Sequence, residues 1–221
     1  MSVIFPKWTN QVPTIAALSA MIAGVCVVGI VWYWFSPEHT DVGYAPKQPI
    51  AYSHKLHAGL MGMDCRYCHT AVEVGPHANV PATETCMNCH NTAGGKGVRA
   101  ESPEIQKLNT AHAAGLPVHW DKVHLLPDYA YFNHAAHLRV GVGCRSCHGR
   151  VDQMEVVRQV EPLSMGWCLE CHRDPSSHLR PAGVSVTDMV WEPDADSLSA
   201  AAARIEAGEI LPPEHCSACH R

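Results

Sequence analysis

Five copies of a Cys-x-x-Cys-His motif constrain this chain more than any other feature of its sequence. The motifs occupy residues 65–69, 86–90, 144–148, 168–172 and 216–220, and they contain ten of the 11 cysteines in 221 residues. Such a segment is the attachment site of a c-type haem, in which both thiols form thioethers and the histidine binds the iron. Zinc sites need two cysteine pairs for each metal, and a thioredoxin-like site is a single motif, so neither explains this pattern.

The motifs therefore predict five covalently bound c-type haems. The attachment cysteines are Cys65, Cys68, Cys86, Cys89, Cys144, Cys147, Cys168, Cys171, Cys216 and Cys219. The proximal iron ligands are His69, His90, His148, His172 and His220.

The spacing of the motifs predicts the fold class. Residues 65–220 provide only about 31 residues for each haem, too few to bury every haem in its own protein core. Glycine and proline, 16 of each, interrupt regular structure throughout. We expect a multihaem cytochrome c of loops and short α-helices around packed haems. The clearest helix outside the N-terminal region is 197–207, capped by Asp196 or Ser197 and ended by Gly208.

An apolar run near the N-terminus predicts one transmembrane helix. Residues 12–35 contain no charge and as a helix would reach about 36 Å, enough to span a bilayer core. Pro13 suits a first helical turn, and aromatic residues flank both ends. A cleaved signal peptide has a shorter apolar core and a small-x-small cleavage site. We therefore expect a membrane anchor in 1–37, with Lys7 on the cytoplasmic side.

Charge and location restrict the partners of the remaining chain. Residues 38–221 are predicted to form an extracytoplasmic pentahaem domain, because c-type haem is attached outside the energy-transducing membrane. Beyond residue 35 the chain has 15 Lys and Arg against 21 Asp and Glu, part of a net charge of -5. An acidic surface favours basic protein partners and argues against nucleic acid.

The haem domain contains an internal duplication. A His-x-x-His pair precedes the first motif as His54 and His57, and a second pair precedes the third motif as His134 and His137. Each pair is followed by two haem motifs at similar spacing. Two di-haem modules, 50–110 and 120–180, are therefore predicted, with the fifth motif appended at 216–220.

The His-x-x-His pairs are the main candidates for the second axial ligands. His54 is assigned to the first haem and His134 to the third, while His57 and His137 are expected to reach neighbouring haems. His124 is a further candidate, and Met165 stands three residues before Cys168, where it would make the fourth haem His/Met. Six candidates thus compete for five positions. Methionine ligation would raise the potential of its haem relative to bis-histidine ligation.

The sequence resembles the pentahaem cytochrome c subunit of bacterial alternative complex III. The single N-terminal helix, the five motifs, and the segments 123–134 (VHLLPDYAYFNH) and 163–172 (LSMGWCLECH) carry this resemblance. It implies a subunit of a membrane quinol:electron-acceptor oxidoreductase with polytopic quinol-binding subunits and an iron-sulfur subunit. Electrons would pass through the five haems to a monohaem cytochrome c or a soluble electron acceptor.

Other functions fit the sequence less well. A stand-alone membrane-anchored quinol dehydrogenase that feeds a periplasmic reductase shares one helix and several haems, and a catalytic multihaem reductase needs one open iron. Here the ligand candidates exceed the positions to be filled. A cytochrome donor to a photosynthetic reaction centre typically has four haems and methionine-rich ligation. We therefore expect an electron-transfer subunit with no substrate chemistry of its own.

Overall fold

The computed structural model describes residues 5–220, and the chain divides into two compact units, Met1–Val42 and Gly43–Arg221. The first unit has a short 3-10 helix at Lys7–Gln11, then α1 at Val12–Trp34 and α2 at Pro37–Thr40. Pro13 lies in the first turn of α1, where its missing N–H is not needed. The predicted helix is confirmed and ends one residue earlier than expected.

Helix α1 is long and apolar enough to cross a membrane. The segment Lys7–Trp34 has a mean hydropathy of 2.4, and none of its residues is buried by the chain itself. At 23 residues, α1 spans about 35 Å. An apolar helix whose residues are all exposed in the described part of the chain fits a lipid environment.

The second unit consists of short helices joined by loops. Within residues 43–220 no strand forms, and the single ladder contact is an isolated bridge between Val142 and Leu179. This agrees with the predicted loop-and-helix fold. The helices are α3 at Cys65–Cys68, α4 at Thr83–His90, α5 at Pro103–Ala113, α6 at His134–Val140, α7 at Arg145–His148, α8 at Met165–Arg173, α9 at Ala195–Glu206 and α10 at Cys216–Cys219. A π-helix covers Lys55–Leu60, and 3-10 turns lie at Ala93–Gly95, Val151–Gln153 and Ser176–His178.

Side-chain packing supplies little of the interior. Two small clusters of buried apolar residues form in the second unit: Val142, Leu179, Ala201 and Ile210 in one, and Ile50, Met87 and Leu108 in the other. Only ten apolar residues of the described chain are buried. So few buried apolar residues do not stabilise a domain of this length by side-chain packing alone.

Helix α9 corrects one expectation about capping. It begins at Ala195 and ends at Glu206, and its N-cap is Asp194 instead of Asp196 or Ser197. The Asp194 carboxylate accepts from the Ser197 N–H at 2.8 Å, and the Ser197 hydroxyl accepts from the Asp194 N–H at 2.8 Å. Ser197 is therefore the third helical residue of a capping box. Gly208, with φ +73°, follows the helix as expected.

Candidate haem-binding site

Each Cys-x-x-Cys-His motif coincides with a turn of helix. The first motif of each module forms a single turn, α3 or α7, and the second motif ends or nearly ends a longer helix, α4 or α8. The two predicted modules thus share one order of helix lengths. Helix α10 carries the two cysteines of the fifth motif. None of the ten motif cysteines forms a disulfide in the described part of the chain.

Four of the five motif histidines are oriented by backbone carbonyls. Nδ1 of His69 lies 2.6 Å from the Asn79 oxygen, and Nδ1 of His90 lies 2.9 Å from the Val98 oxygen. Two further contacts of this kind are His172 to Pro213 at 2.7 Å and His220 to Tyr129 at 3.0 Å. A carbonyl only accepts hydrogen bonds, so each Nδ1 must carry the proton. Each ring then presents the lone pair of Nε2, as metal-bound histidines generally do.

Three histidines of the His-x-x-His pairs are held in the same way. Nδ1 of His57 lies 2.8 Å from the Ser53 oxygen, Nδ1 of His134 lies 2.7 Å from the Pro76 oxygen, and Nδ1 of His137 lies 2.8 Å from the Asn133 oxygen. The aromatic ring of Tyr52 stacks on His57 at 4.4 Å, and Phe132 lies equally close to His137. The two modules therefore orient these histidines in the same way, through a backbone carbonyl and an adjacent aromatic ring.

Three pairs of rings have the separation that a shared iron needs. Two imidazoles bound to one metal at about 2 Å per bond have ring centres about 6.3 Å apart. The observed separations are 6.2 Å for His57 and His90, 6.1 Å for His137 and His172, and 6.4 Å for His134 and His148. Each pair combines one motif histidine with one histidine of a His-x-x-His pair. The residues therefore fit a haem iron between them.

His54 and His124 lie in the same crowded region and have buried nitrogen atoms without hydrogen-bond partners. These atoms are Nδ1 of His54 and Nε2 of His124. The His124 ring lies 4.3 Å from the His148 ring, too close for a metal between them. An orphaned buried nitrogen costs free energy unless another group binds it.

Burial keeps these imidazoles neutral at physiological pH. Burial lowers the pKa of His54 to about 4 and that of His148 to about 3. Burial also lowers the pKa values of His124, His134 and His137. Iron binds the neutral imidazole, so the environment holds these rings in the form that a ligand requires.

The remaining ligand candidate, Met165, lies elsewhere. Its side chain is 62% exposed at the start of α8, one turn before Cys168. The ring that faces His172 is His137, so the geometry does not favour Met165 as the second ligand at the fourth site. At the fifth motif, the aromatic ring beside His220 is that of Tyr129.

Arg180 belongs to the site although no sequence motif marks it. Its guanidinium is 3% exposed and lies against the backbone of Gly143, in space that any Cβ would occupy. Nη2 donates to the Asp188 carbonyl at 2.8 Å, and the Trp191 ring lies 4.8 Å away, while Nε and Nη1 have no hydrogen-bond partner. The positive charge of Arg180 is therefore buried against Gly143, the residue that precedes Cys144 in the sequence.

Comparison with known proteins gives one informative similarity. Over 127 residues the chain is 35% identical to the multihaem cytochrome c subunit of menaquinone reductase from Nitratidesulfovibrio vulgaris. The match covers 57% of this chain and 56% of that protein, so the chain spans about half the length of this relative. No protein-family model matches the sequence. The chain is thus homologous to a multihaem cytochrome c.

Proposed function

We propose that this protein is a pentahaem c-type cytochrome that carries electrons within a membrane-bound quinone oxidoreductase. The observation that carries the proposal is the set of three histidine pairs at 6.1–6.4 Å, each joining a motif histidine to a His-x-x-His histidine. The small number of buried apolar side chains supports it, because packed haems would fill the interior that these side chains leave open. The similarity to a multihaem cytochrome c supports it independently.

Four haems would have two histidine ligands. We assign His90 with His57, His148 with His134, and His172 with His137 from the ring separations. We propose His54 for His69, because His54 stands at the start of the π-helix that precedes the first motif and the two imidazoles interact electrostatically. The protein would orient each ligand through its Nδ1 contact and would set each potential through ligand type, burial and nearby charge.

The fifth haem would use His220 and one of two remaining candidates, His124 or Met165. Met165 lies on the same face of α8 as Cys168, one turn away, and α8 contacts the chain just before the fifth motif through His172 and the Pro213 carbonyl at 2.7 Å. We therefore favour Met165 for the fifth haem instead of the fourth. A His/Met haem there would have the highest potential in the series.

The larger assembly is proposed from the resemblance and the relative together. Helix α1 would anchor the chain in the cell membrane with its N-terminus in the cytoplasm and the haem domain, 38–221, outside. The partners would be polytopic quinol-binding subunits, an iron-sulfur subunit and a monohaem cytochrome, as in alternative complex III. Electrons would leave to a cytochrome c or a similar soluble carrier.

A second candidate differs in the direction of electron flow. The relative belongs to a menaquinone reductase, whose name describes electron delivery to quinone instead of removal from quinol. This chain would then carry electrons from an extracytoplasmic donor towards the membrane. The stand-alone quinol dehydrogenase remains a third possibility in which the chain works without polytopic partners.

One purification distinguishes these candidates. Membranes solubilised in mild detergent would be separated on a native gel, stained for haem, and the stained band analysed by mass spectrometry. Five haem additions on a chain within a large band of polytopic subunits support the complex. Reduction of its haems by menaquinol supports quinol oxidation, whereas haems too low in potential to accept those electrons support quinone reduction. A chain that runs alone and is reduced directly by quinol supports the stand-alone enzyme, and a chain without haem refutes all three.

A further inference from the structure

The five motifs contact one another in an order that differs from their order in the sequence. Numbering them one to five along the chain, we infer that they form a single line in the order two, one, three, four, five. The inference rests on the proposed function, because the line becomes an electron path only when every motif carries haem. It follows from contacts that link each motif to its neighbours.

Motif two meets motif one directly. Asn88, inside the second motif, donates from Nδ2 to the hydroxyl of Tyr67, inside the first motif, at 2.8 Å. The π-helix at Lys55–Leu60 carries His57 to within 6.2 Å of the His90 ring. His54, at the N-cap of this π-helix, is the histidine assigned to motif one. One short helix therefore serves both sites.

Motifs one and three meet through a reciprocal contact between the two modules. The π-helix of the first module rests on the turn after motif three: Gly59 lies so close to the Asp152 carbonyl that a Cβ would clash, and the Lys55 N–H donates to Met154 at 3.0 Å. Helix α6 of the second module begins on the turn after motif one. There the Ala135 N–H donates to Gly75 at 3.2 Å, and the His134 ring bonds to Pro76.

A third segment of the chain also contacts this junction. The segment 186–187 joins the starts of the two motifs, because the Cys144 N–H donates to the Val186 carbonyl at 3.0 Å and the Thr187 hydroxyl donates to the carboxylate of Asp64, next to Cys65, at 3.2 Å. Equivalent parts of the duplicated unit thus face one another, as they do in a head-to-head pair. The second motif of each module is left at the outside of the pair.

Motifs three, four and five continue the line. Helix α6 presents His134 to the third motif at 6.4 Å and His137 to the fourth at 6.1 Å. The chain just before motif five then packs on motif four, because His172 bonds to the Pro213 carbonyl at 2.7 Å and Arg173 pairs with Glu214 at 3.2 Å.

The line makes motifs two and five the two ends of the electron path. An electron that enters at either end must cross the junction between motifs one and three. Motifs two and three are consecutive in the sequence but lie on opposite sides of motif one. The partners that deliver and remove electrons are therefore expected at the faces around α4 and α10.

A cryo-electron microscopy structure of the haem-loaded protein in its native membrane complex tests the order. The expected nearest iron neighbours are two with one, one with three, three with four, and four with five. Five haems with any other set of neighbours, such as two beside three, would overturn the order and leave the proposed function intact. Motifs without haem would refute the proposed function itself.

Pulsed electron paramagnetic resonance gives a second test in solution. A nitroxide would be attached at Lys107→Cys, on α5 beside the second motif, in a Cys26→Ser background. His57→Met and His137→Met then identify the second and fourth haems by their altered signals. We expect the nitroxide to be nearest the second haem and farther from the fourth, with the first and third haems at intermediate distances. Only one haem at an intermediate distance would overturn the order.

Discussion

Replacement of Arg180 by methionine is expected to lower the reduction potential of the haem on the third motif. The guanidinium lies against Gly143, directly before Cys144, and is 3% exposed. Arg180 donates to the Asp188 backbone carbonyl, whereas the Asp188 carboxylate accepts from the N–H groups of Val190 and Trp191 at 2.8 and 3.0 Å, so its negative charge offsets the guanidinium only in part. The positive charge therefore disfavours ferric iron, which carries one more positive charge than ferrous iron.

The size of this effect follows from Coulomb's law. Two unit charges about 10 Å apart in an effective dielectric of about 20 interact by about 1.7 kcal/mol. For a one-electron couple this corresponds to about 70 mV, because a tenfold change in an equilibrium constant is about 59 mV. An exposed charge at the same distance, in a dielectric of about 80, contributes about a quarter of that value.

Spectroelectrochemical titration of the purified complex would measure the change. Arg180→Met should lower one haem potential by about 70 mV, Arg180→Lys should keep most of the wild-type value, and Arg139→Met, at an exposed arginine of α6, should change little. Haem content and melting temperature serve as controls for folding. Equal titrations for Arg180→Met and wild type, with all haems retained, would refute the argument that Arg180 sets this potential.

Three further substitutions test separate parts of the structure. Met165→His should lower one haem potential without loss of haem, because histidine ligation lowers the potential relative to methionine; an unchanged titration would exclude Met165 as a ligand. Gly59→Ala should lower the melting temperature because its Cβ clashes with a neighbouring backbone carbonyl, whereas Gly75→Ala meets only ordinary contacts and should be tolerated; equal melting temperatures would contradict the close approach. Asp194→Ala should lower the free energy of unfolding by about 1 kcal/mol in chemical unfolding through loss of the α9 cap, and Asp196→Ala should lower it less. A larger loss for Asp196→Ala would instead support Asp196 as the N-cap, as the sequence suggested.

Local sequence patterns predicted the local structure well. The apolar run predicted α1 because hydropathy and length act over one continuous segment. The cap of α9 was misplaced because Asp194, Asp196 and Ser197 are all good N-cap residues, and only the backbone shows that Asp194 is the extended one. The ligand assignments stay predictions, and the ring separations now make them specific.

Contacts between residues that are distant in the sequence could not be predicted from such local patterns. Nothing in the sequence marks Arg180 as buried, because an isolated arginine is usually exposed. Gly59 contacts Asp152, which is 93 positions away in the sequence, and no hydrophobic periodicity or motif predicts this contact. The duplication gave the two modules but not their relative placement, which depends on which surfaces of the two units are complementary.

The head-to-head junction offers a physical reason for the duplication itself. Each module has few buried side chains, and the turn after its first motif contacts a helix of the other module. Both modules contribute to the contact, because each carries a helix with a His-x-x-His pair that rests on the other module. We therefore expect haem binding and module docking to stabilise each other, because the helices that carry His54 and His134 each contact the other module. Loss of either docking contact is expected to perturb the two central haems before the haem at either end of the line.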